Sequence, residues 1–549
     1  MNETTYTESA TVGHIRPEKQ RAATEALFLA LLLIGTFIFR VYSIRTYDVM
    51  SADGTSYAEM GKAFIDTWDP HVFGTIAPPL YSIFIGVFNL VFNDLELSAR
   101  LVSVIFSTLT IIPLYLMVRE AFGRTAAMTT ALLFATLPFI HGMSGIDIGE
   151  PTYTFFVIAG AYLFWRGVRG ERISFYTSAG MLLGAAYLVR PEAFIACFAL
   201  TVFFIGKNIL FRKRSSLARG CLLLGCFWCG FVIFASPYIW YLHEATGKWQ
   251  LSGKSGINSE VIREYRGTIS IDDQKFLLDE QGNFKAGKGQ SIFNIMIDEP
   301  ELFRSNILQN IKELFPALNG VFPLYLWPLI LIGLFNYTRR EVCLDMHLIL
   351  FGISAPLIIY IIFFVQSRGF YAYIPALLVW TGAGGKKISD WMGGAFQPFR
   401  AFPPVIPLII LLCTYYVFTE FPRQKPPYSH FQDGGRFDEK QIGLRLRKII
   451  RENVPIMTRS GRIAFYAGKP MILPPQADYD EIISYARRNK ARYLIATRVL
   501  LYRRPQLRFL FSPVLEPQEK FIPPPELDLV YVGNEPGGLP YIVYRIKGE

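Results

Sequence analysis

Long apolar runs, separated by short polar stretches, occupy most of the chain between residues 26 and 420. A run of about 20 apolar residues crosses the hydrocarbon core as a helix. Inside lipid such a run must satisfy its own backbone hydrogen bonds, which selects the helix. The pattern predicts eleven spans, at 26–45, 98–118, 126–142, 152–165, 176–189, 193–205, 221–242, 321–335, 348–365, 371–384 and 402–419. A further apolar segment, 79–92, is read as a helix lying at the outer interface, since Pro78 and Pro79 suit a helix start. Its rival reading is a twelfth crossing. After Glu420 the pattern becomes that of a soluble protein. Pro422, Pro426 and Pro427 make a linker, 441–450 has helical periodicity, and 492–496 reads as a buried strand. Segments 528–532 and 541–545 read as a hairpin around a Gly-rich turn at 534–539. The predicted fold is a polytopic α-helical membrane protein of about eleven transmembrane helices plus a juxtamembrane helix, followed by a soluble α/β domain. No internal repeat is visible.

Composition agrees. Hydrophobic residues make up 52% of the 549 and charged residues only 18%, against about 25% charged in soluble domains. The net charge of +11 does not indicate nucleic acid, because Lys and Arg sit in short clusters between apolar runs. That is the positive-inside arrangement. Arg16, Lys19 and Arg21 precede the first run, so residues 1–25 are expected in the cytoplasm. Eleven crossings then place Arg119 with Arg124, the trio Arg166, Arg169 and Arg172, the cluster Lys207, Arg212, Lys213 and Arg214, Arg339 with Arg340, and Lys386 with Lys387 on that same side. The expected organisation is a transmembrane body, 26–420, with outer loops 46–97 and 244–319, and an extracytoplasmic α/β domain, 421–549. The location is a plasma (inner) membrane, multi-pass. A cleavable signal peptide is not expected, since a polar stretch precedes the first run and no small-residue cleavage site follows it. Five of the six cysteines lie in apolar runs; Cys226 and Cys229 flank Phe227 and Trp228 within one run, which reads as packing rather than a metal site.

Charges at a membrane face are costly unless paired or functional. Four polar spots fall on the predicted outer face. The first is Asp53, with Tyr57, Glu59 and Lys62 following in a helical stretch. The second is the short loop carrying Asp147 and Glu150. In isolation each carboxylate reads as a helix cap. The third is the turn with Arg190 and Glu192, and the fourth is Arg368, followed by Tyr371 and Tyr373. An arginine fork binds phosphate, and a carboxylate can accept a proton from an acceptor hydroxyl. Together they suit a phosphate-bearing lipid. A divalent metal is left open, with His71 and His243 as weak candidates in ordinary polar roles, because no HxxH or HxxxH pattern occurs.

At these residues the chain resembles the GT-C glycosyltransferases of family 39, which include protein O-mannosyltransferases and lipid A aminoarabinose transferases. The matching stretches are Asp53-x-x-x-Tyr57-Ala58-Glu59, Trp68 to His71 leading to Pro78-Pro79-Leu80-Tyr81, Ala99-Arg100-Leu101, Phe122-Gly123-Arg124, Asp147 to Pro151, Arg368 to Pro375, and in the tail Ile450 to Asn453, Ala464 to Pro470 and Leu473 to Pro475. The resemblance implies that Asp53 is a general base or orients the acceptor, that Asp147 lies near the reacting centre, and that Arg368 lies near the carrier phosphate. It implies an inverting displacement with polyprenyl phosphate as leaving group, a polyprenyl-phosphate sugar as donor, and an unspecified acceptor. Two departures stand out. Gly54 follows Asp53 where the family often has Glu, and Ala77 precedes the Pro-Pro pair where many members have Lys. The missing cation's role then passes to Lys62, Arg190 or another basic residue.

The expected function is transfer of a sugar from a polyprenyl-phosphate donor to a lipid, glycan or protein on the outer face. The alternative is a transporter or flippase of a lipid-linked substrate, which would place charges mid-membrane. A scaffold whose tail binds partners is a third class. The long loop 244–319, with Gly253-Lys254-Ser255-Gly256 and Asp279 to Gly282, is a candidate cover for the site.

Overall fold

The structure is a computed structural model. It describes residues 18–210, 217–254, 259, 262–263, 292–335, 340–395, 405–416, 418, 436–475, 477–516, 518, 521–533 and 539–548. Arg16, Arg212, Lys213, Arg214 and Arg339, the linker prolines 422, 426 and 427, nearly all of 255–291 and most of the turn 534–539 lie outside the described residues.

The first half is a succession of helices: α1 (Glu18–Ser43), α2 (Ala52–Thr67), α3 (Leu80–Phe92), α4 (Leu95–Leu109), α5 (Ile111–Phe122), α6 (Arg124–Thr136), α7 (Pro138–Ser144), α8 (Glu150–Gly170), α9 (Ile173–Tyr187), α10 (Ala193–Leu210) and α11 (Leu217–Thr246). Further helices include Pro300–Val321, Trp327–Leu334, Arg340–Ser354, Ile374–Ala395 and Val405–Tyr415. Most pack around one large apolar core. Four helical stretches among the described residues are long and apolar enough to cross a membrane: Ala22–Ser43, Leu95–Phe122, Ala218–Thr246 and Glu341–Ile362. Two bent pairs, Arg124–Thr136 with Pro138–Ser144 and Pro300–Val321 with Leu324–Leu334, raise this to six if each counts as one span. Eleven were expected. Several of the others form helices that are short, such as α9 with 15 residues, or interrupted by charge, such as Ile374–Ala395 with Lys386, Lys387 and Asp390.

The helix at 80–92 has 13 residues. At 1.5 Å per residue it reaches about 20 Å, less than the roughly 30 Å of hydrocarbon. Its Leu90 and Val91 are exposed. Its other face lies flat on α2, where Gly61 and Gly86 meet: a Cβ on Gly61 would stand 2.0 Å from the Ser82 carbonyl oxygen, and one on Gly86 2.3 Å from that of Gly61. Only bare backbone permits that approach, so α2 and α3 form one tight layer.

From Arg436 onward the chain builds a five-stranded sheet in the order β2-β1-β3-β5-β4. The strands are β1 (Ile456–Met457), β2 (Met471–Ile472), β3 (Tyr493–Thr497), β4 (Leu527–Gly533) and β5 (Tyr541–Ile546). β1 runs parallel to β2 and β3; β5 is antiparallel to β3 and β4. Side chains alternate between two cores. Leu494, Ala496, Ile542 and Tyr544 pack with the helix Tyr479–Arg488. Tyr493, Ile495, Tyr541 and Val543 pack with Arg436–Ile449 and Gly461–Ala467. Helices on both faces explain why every residue of β3 is buried.

This sheet unit docks on the helical body close to α2. Lys440 Nζ donates to the Asp48 carbonyl oxygen at 2.8 Å and pairs with Glu96 Oε2 at 3.0 Å. The Tyr466 hydroxyl donates to Glu96 Oε2 at 3.2 Å and accepts from the Met50 amide at 2.9 Å. Arg100, buried on α4, pairs with the same Glu96 at 2.7 Å.

Candidate active site

Asp53 sits in the first turn of α2 but does not cap it. The cap is Ser51, whose hydroxyl accepts from the Gly54 amide at 2.9 Å. Asp53 Oδ2 instead accepts from Arg368 Nη1 at 3.0 Å. Glu150 opens α8 without capping it; its Oε1 accepts from Arg190 Nη1 at 2.8 Å and lies 3.7 Å from Arg368 Nε. Arg190 Nη2 donates to Glu192 Oε1 at 3.0 Å. The capping readings of Asp53 and Glu150 therefore give way to a ladder of alternating charge: Asp53, Arg368, Glu150, Arg190, Glu192.

The ladder lines a cleft of about 60 Å³, closed by Tyr57, Pro78, Tyr81, Gly149 and Lys254. Lys254 arrives on the segment after α11. Tyr187 donates its hydroxyl hydrogen to the Leu251 carbonyl oxygen at 2.7 Å. Gly253 presses on the backbone of Thr75, so closely that a Cβ would lie 1.9 Å from its carbonyl oxygen. Arg190 and Arg368 are each held by carboxylates, whereas the Lys254 ammonium has no ion pair among the described residues.

The electrostatics follow. Desolvation in the cleft would raise the Asp53 pKa, but Arg368, Lys254 and Arg190 outweigh it and hold the carboxyl below the usual carboxylate range. Glu192 behaves likewise: burial would raise it, and Arg190 wins. Burial would lower Arg190, yet Glu192, Tyr360 and Glu150 hold it well above the ordinary guanidinium value. Asp53, Glu192 and Arg190 are therefore ionised in the neutral range.

Asp147 lies beneath the cleft rather than in it. It is fully buried, and its Oδ2 accepts from both the amide and the hydroxyl of Ser51, each at 2.8 Å. Burial pushes its pKa up despite Arg100 and the Ser51 hydrogen bonds. Its geometry is that of a positioning residue: it seats the N-terminus of α2, and with it Asp53. The loop that carries it is pinned by Ser103, which donates to the Ile148 carbonyl oxygen at 2.9 Å.

Several candidates stand elsewhere. Lys62 pairs with Asp66 one turn along α2, at 2.6 Å, with both side chains about half exposed. Glu59 is exposed and outside the cleft. It lies six residues from Asp53, which at 3.6 residues per turn is a different face of the helix. Tyr371 is buried below the site, its hydroxyl 2.6 Å from that of Ser107. Tyr373 is buried against Tyr360. Within the turn Ser367–Ala372 Arg368 stays partly exposed while Tyr371 is buried, as is Tyr373 just after it. His71 packs near the Tyr241 ring and His243 stacks on Trp249 at 4.1 Å. No group of three His, Cys, Asp or Glu among the described residues could hold a metal ion. Ser51, Tyr81 and Lys254 were not among the site residues expected from sequence, although Tyr81 stood in a matching stretch and Lys254 in the candidate cover loop. Ser51 carried a signal, a serine ahead of a helical stretch; Lys254 is placed only by folding.

The profile of the dolichyl-phosphate-mannose-protein mannosyltransferase family matches residues 77–240. That stretch holds Tyr81, Glu150, Arg190 and Glu192, but not Asp53, Lys254 or Arg368. A Pseudomonas aeruginosa protein named undecaprenyl phosphate-alpha-4-amino-4-deoxy-L-arabinose arabinosyl transferase is 26% identical over 172 residues, 29% of this chain. The match spans 31% of that relative's length. ArnT from Cupriavidus metallidurans, in a crystal structure bound to undecaprenyl phosphate, superposes with a TM-score of 0.52 at 14% identity, covering 95% of this chain and 98% of that one. The apo Archaeoglobus fulgidus oligosaccharyltransferase gives 0.51 at 14% identity, covering 86% and 70%. In sequence over residues 77–240 and in fold over nearly its whole length, the chain resembles the GT-C glycosyltransferases of family 39.

Proposed function

We propose that this chain is a membrane glycosyltransferase that takes a sugar from a polyprenyl-phosphate donor and passes it to a lipid, glycan or protein acceptor. The observation that carries the reading is the cleft lined by the Asp53 carboxylate, the Arg368 guanidinium paired with it, and the Lys254 ammonium. In this mechanism the acceptor hydroxyl oxygen attacks the anomeric carbon while the bond to the carrier phosphate breaks. The electron pair leaves with the polyprenyl phosphate, whose growing charge Lys254 and Arg368 stabilise. Asp53, a carboxylate at neutral pH, takes the acceptor proton. Glu150 and Glu192 hold Arg368 and Arg190 in place. The names of the Pseudomonas relative and of the Cupriavidus structure support a polyprenyl-phosphate carrier.

On this reading residues 26–420 form the membrane body, with 1–25 in the cytoplasm and 421–549 outside, in a plasma (inner) membrane. The cleft opens at the outer face. The test supplies membranes with radiolabelled polyprenyl-phosphate sugars and compares wild type with Asp53→Asn. Label leaving the carrier with wild type, and roughly 10²–10⁴-fold more slowly with the variant, is expected. Label staying on the carrier with wild type, across the common sugars, overturns the reading; carrier moved across the bilayer with its sugar intact would favour a flippase.

A further inference from the structure

A second charged cavity lies at the far end of α8. The cleft uses Glu150, the first residue of this helix; the other cavity uses Trp165, Arg166 and Arg169, in its last two turns. α8 has 21 residues, about 32 Å at 1.5 Å per residue, which matches the thickness of a hydrocarbon core. By its sequence pattern 152–165 is a span; on that reading the two cavities stand at opposite membrane boundaries, the second on the side assigned to the basic clusters.

This cavity, of about 420 Å³, is also lined by Glu120, Arg172 and Phe175. Its three guanidinium groups are unequally used. Arg166 donates to Glu120 Oε1 at 3.1 Å and lies over the Phe175 ring at 5.0 Å. Arg169 reaches Asp345 only at 4.0 Å, and Asp345 already holds Lys207 at 2.5 Å. Arg172 is exposed and makes no ion pair among the described residues. Trp165 is 2% exposed, and its indole nitrogen is a buried donor with no partner. Arginines at a helix C-terminus and a cytoplasmic boundary are explained by the helix dipole and the positive-inside rule. Those rules do not explain a cavity of this size lined by two arginines, Arg169 and Arg172, whose forks no close carboxylate takes up. An anionic oxygen cluster would fill it.

We propose that this cavity binds the phosphate of an anionic phospholipid headgroup in the leaflet opposite the cleft. Arg169 and Arg172 supply forks to the phosphate oxygens, and Phe175 and the exposed Ile173 meet the start of the acyl chains. The site rests on α8 spanning the bilayer and not on the transferase reading, and its test reads lipid retention alone.

The full chain is purified in detergent, stripped of lipid, and reloaded with phosphatidylglycerol, phosphatidylcholine or inorganic phosphate. Bound species are counted by native mass spectrometry. The expected result is phosphatidylglycerol retained over phosphatidylcholine, and affinity lowered roughly thirtyfold in Arg169→Gln/Arg172→Gln, two arginines at a charged lipid surface having been removed. Both residues are exposed, and circular dichroism checks that the variant stays folded; the single Arg172→Gln, which breaks no ion pair, gives a smaller drop in the same direction. Equal retention of the two lipids overturns the proposal, as does a double variant that keeps wild-type retention. Displacement of phosphatidylglycerol by millimolar inorganic phosphate overturns it in favour of a soluble anion.

Discussion

Gly54 and Asp147 share one volume. A Cβ on Gly54 would lie 1.5 Å from Asp147 Oδ2 and 2.5 Å from its carboxyl carbon. The glycine that breaks the family pattern after Asp53 is thus the complement of a buried carboxylate 93 positions later. Gly54→Ala should expel Asp147 from the N-terminus of α2, destabilise the protein by about 1–3 kcal/mol, and slow transfer. The double variant Gly54→Ala/Asp147→Gly should be more stable than the sum of the single changes, because the clash is gone. Thermal unfolding of the four proteins checks this; strictly additive losses would show that the two positions do not compete.

Asp147 makes a second prediction, with a definite sign. Its pKa is raised in the folded protein. Stability from such a group is fully present below the unfolded value, near 3.9, and is lost as pH rises through the folded value. Asn at this position can still accept from Ser51 but carries no charge to bury. The melting temperature of Asp147→Asn should therefore gain on wild type as pH rises from about 4 to about 8. A difference that does not change with pH would mean that Asp147 is not buried as an acid.

Arg368 governs the acid limb of the reaction. Asp53 is held low mainly by Arg368 working against desolvation. Wild-type kcat/KM should stay flat down to below the ordinary carboxylate range and fall only as Asp53 is protonated. Removing the guanidinium in Arg368→Gln lets Asp53 bind its proton at higher pH, so the acid limb should move upward. A loss of rate without that shift would make Arg368 a binding group with no hold on Asp53.

Lys254→Ala should raise KM for the donor roughly tenfold or more, since a charge-assisted hydrogen bond contributes about 1.5–3 kcal/mol. Lys254→Arg should restore most of it. Lys62→Ala, which removes only a surface pair with Asp66, should leave KM within about twofold. Steady-state kinetics on membranes with varied donor distinguishes these outcomes; an effect at Lys62 equal to that at Lys254 would contradict the assignment of the cation.

What the sequence revealed and what it hid divides along physical lines. Apolar runs betray helices because lipid allows no other backbone. The helix at 80–92 was legible from its two prolines and short length, and β3, β4 and β5 from their continuous or alternating apolar residues. Asp53, Glu150, Arg190, Glu192 and Arg368 could be grouped because charge parity placed them on one face. Their partners could not be read, since a side chain's direction depends on register. That is why Tyr371 and Tyr373, close to Arg368 in sequence, turn into the core, and why Lys62 points elsewhere on α2. Lys254 was hidden because its position depends on Tyr187 and on the contact of Gly253 with Thr75. The number of spans was the least legible feature, because short and bent helices need neighbours to define them.

Tyr466 lies 416 positions beyond Met50, whose amide it holds just ahead of Ser51. The last contact that fixes the reacting end of α2 thus comes from a part of the polypeptide made long after the membrane helices. A chain that stops short of Tyr466 lacks that latch and holds this end of α2 by Asp147 and Arg368 without it. The order of synthesis thus sets an order of assembly: this end of α2 gains its contact with Tyr466 only once the sheet unit has been made and docked.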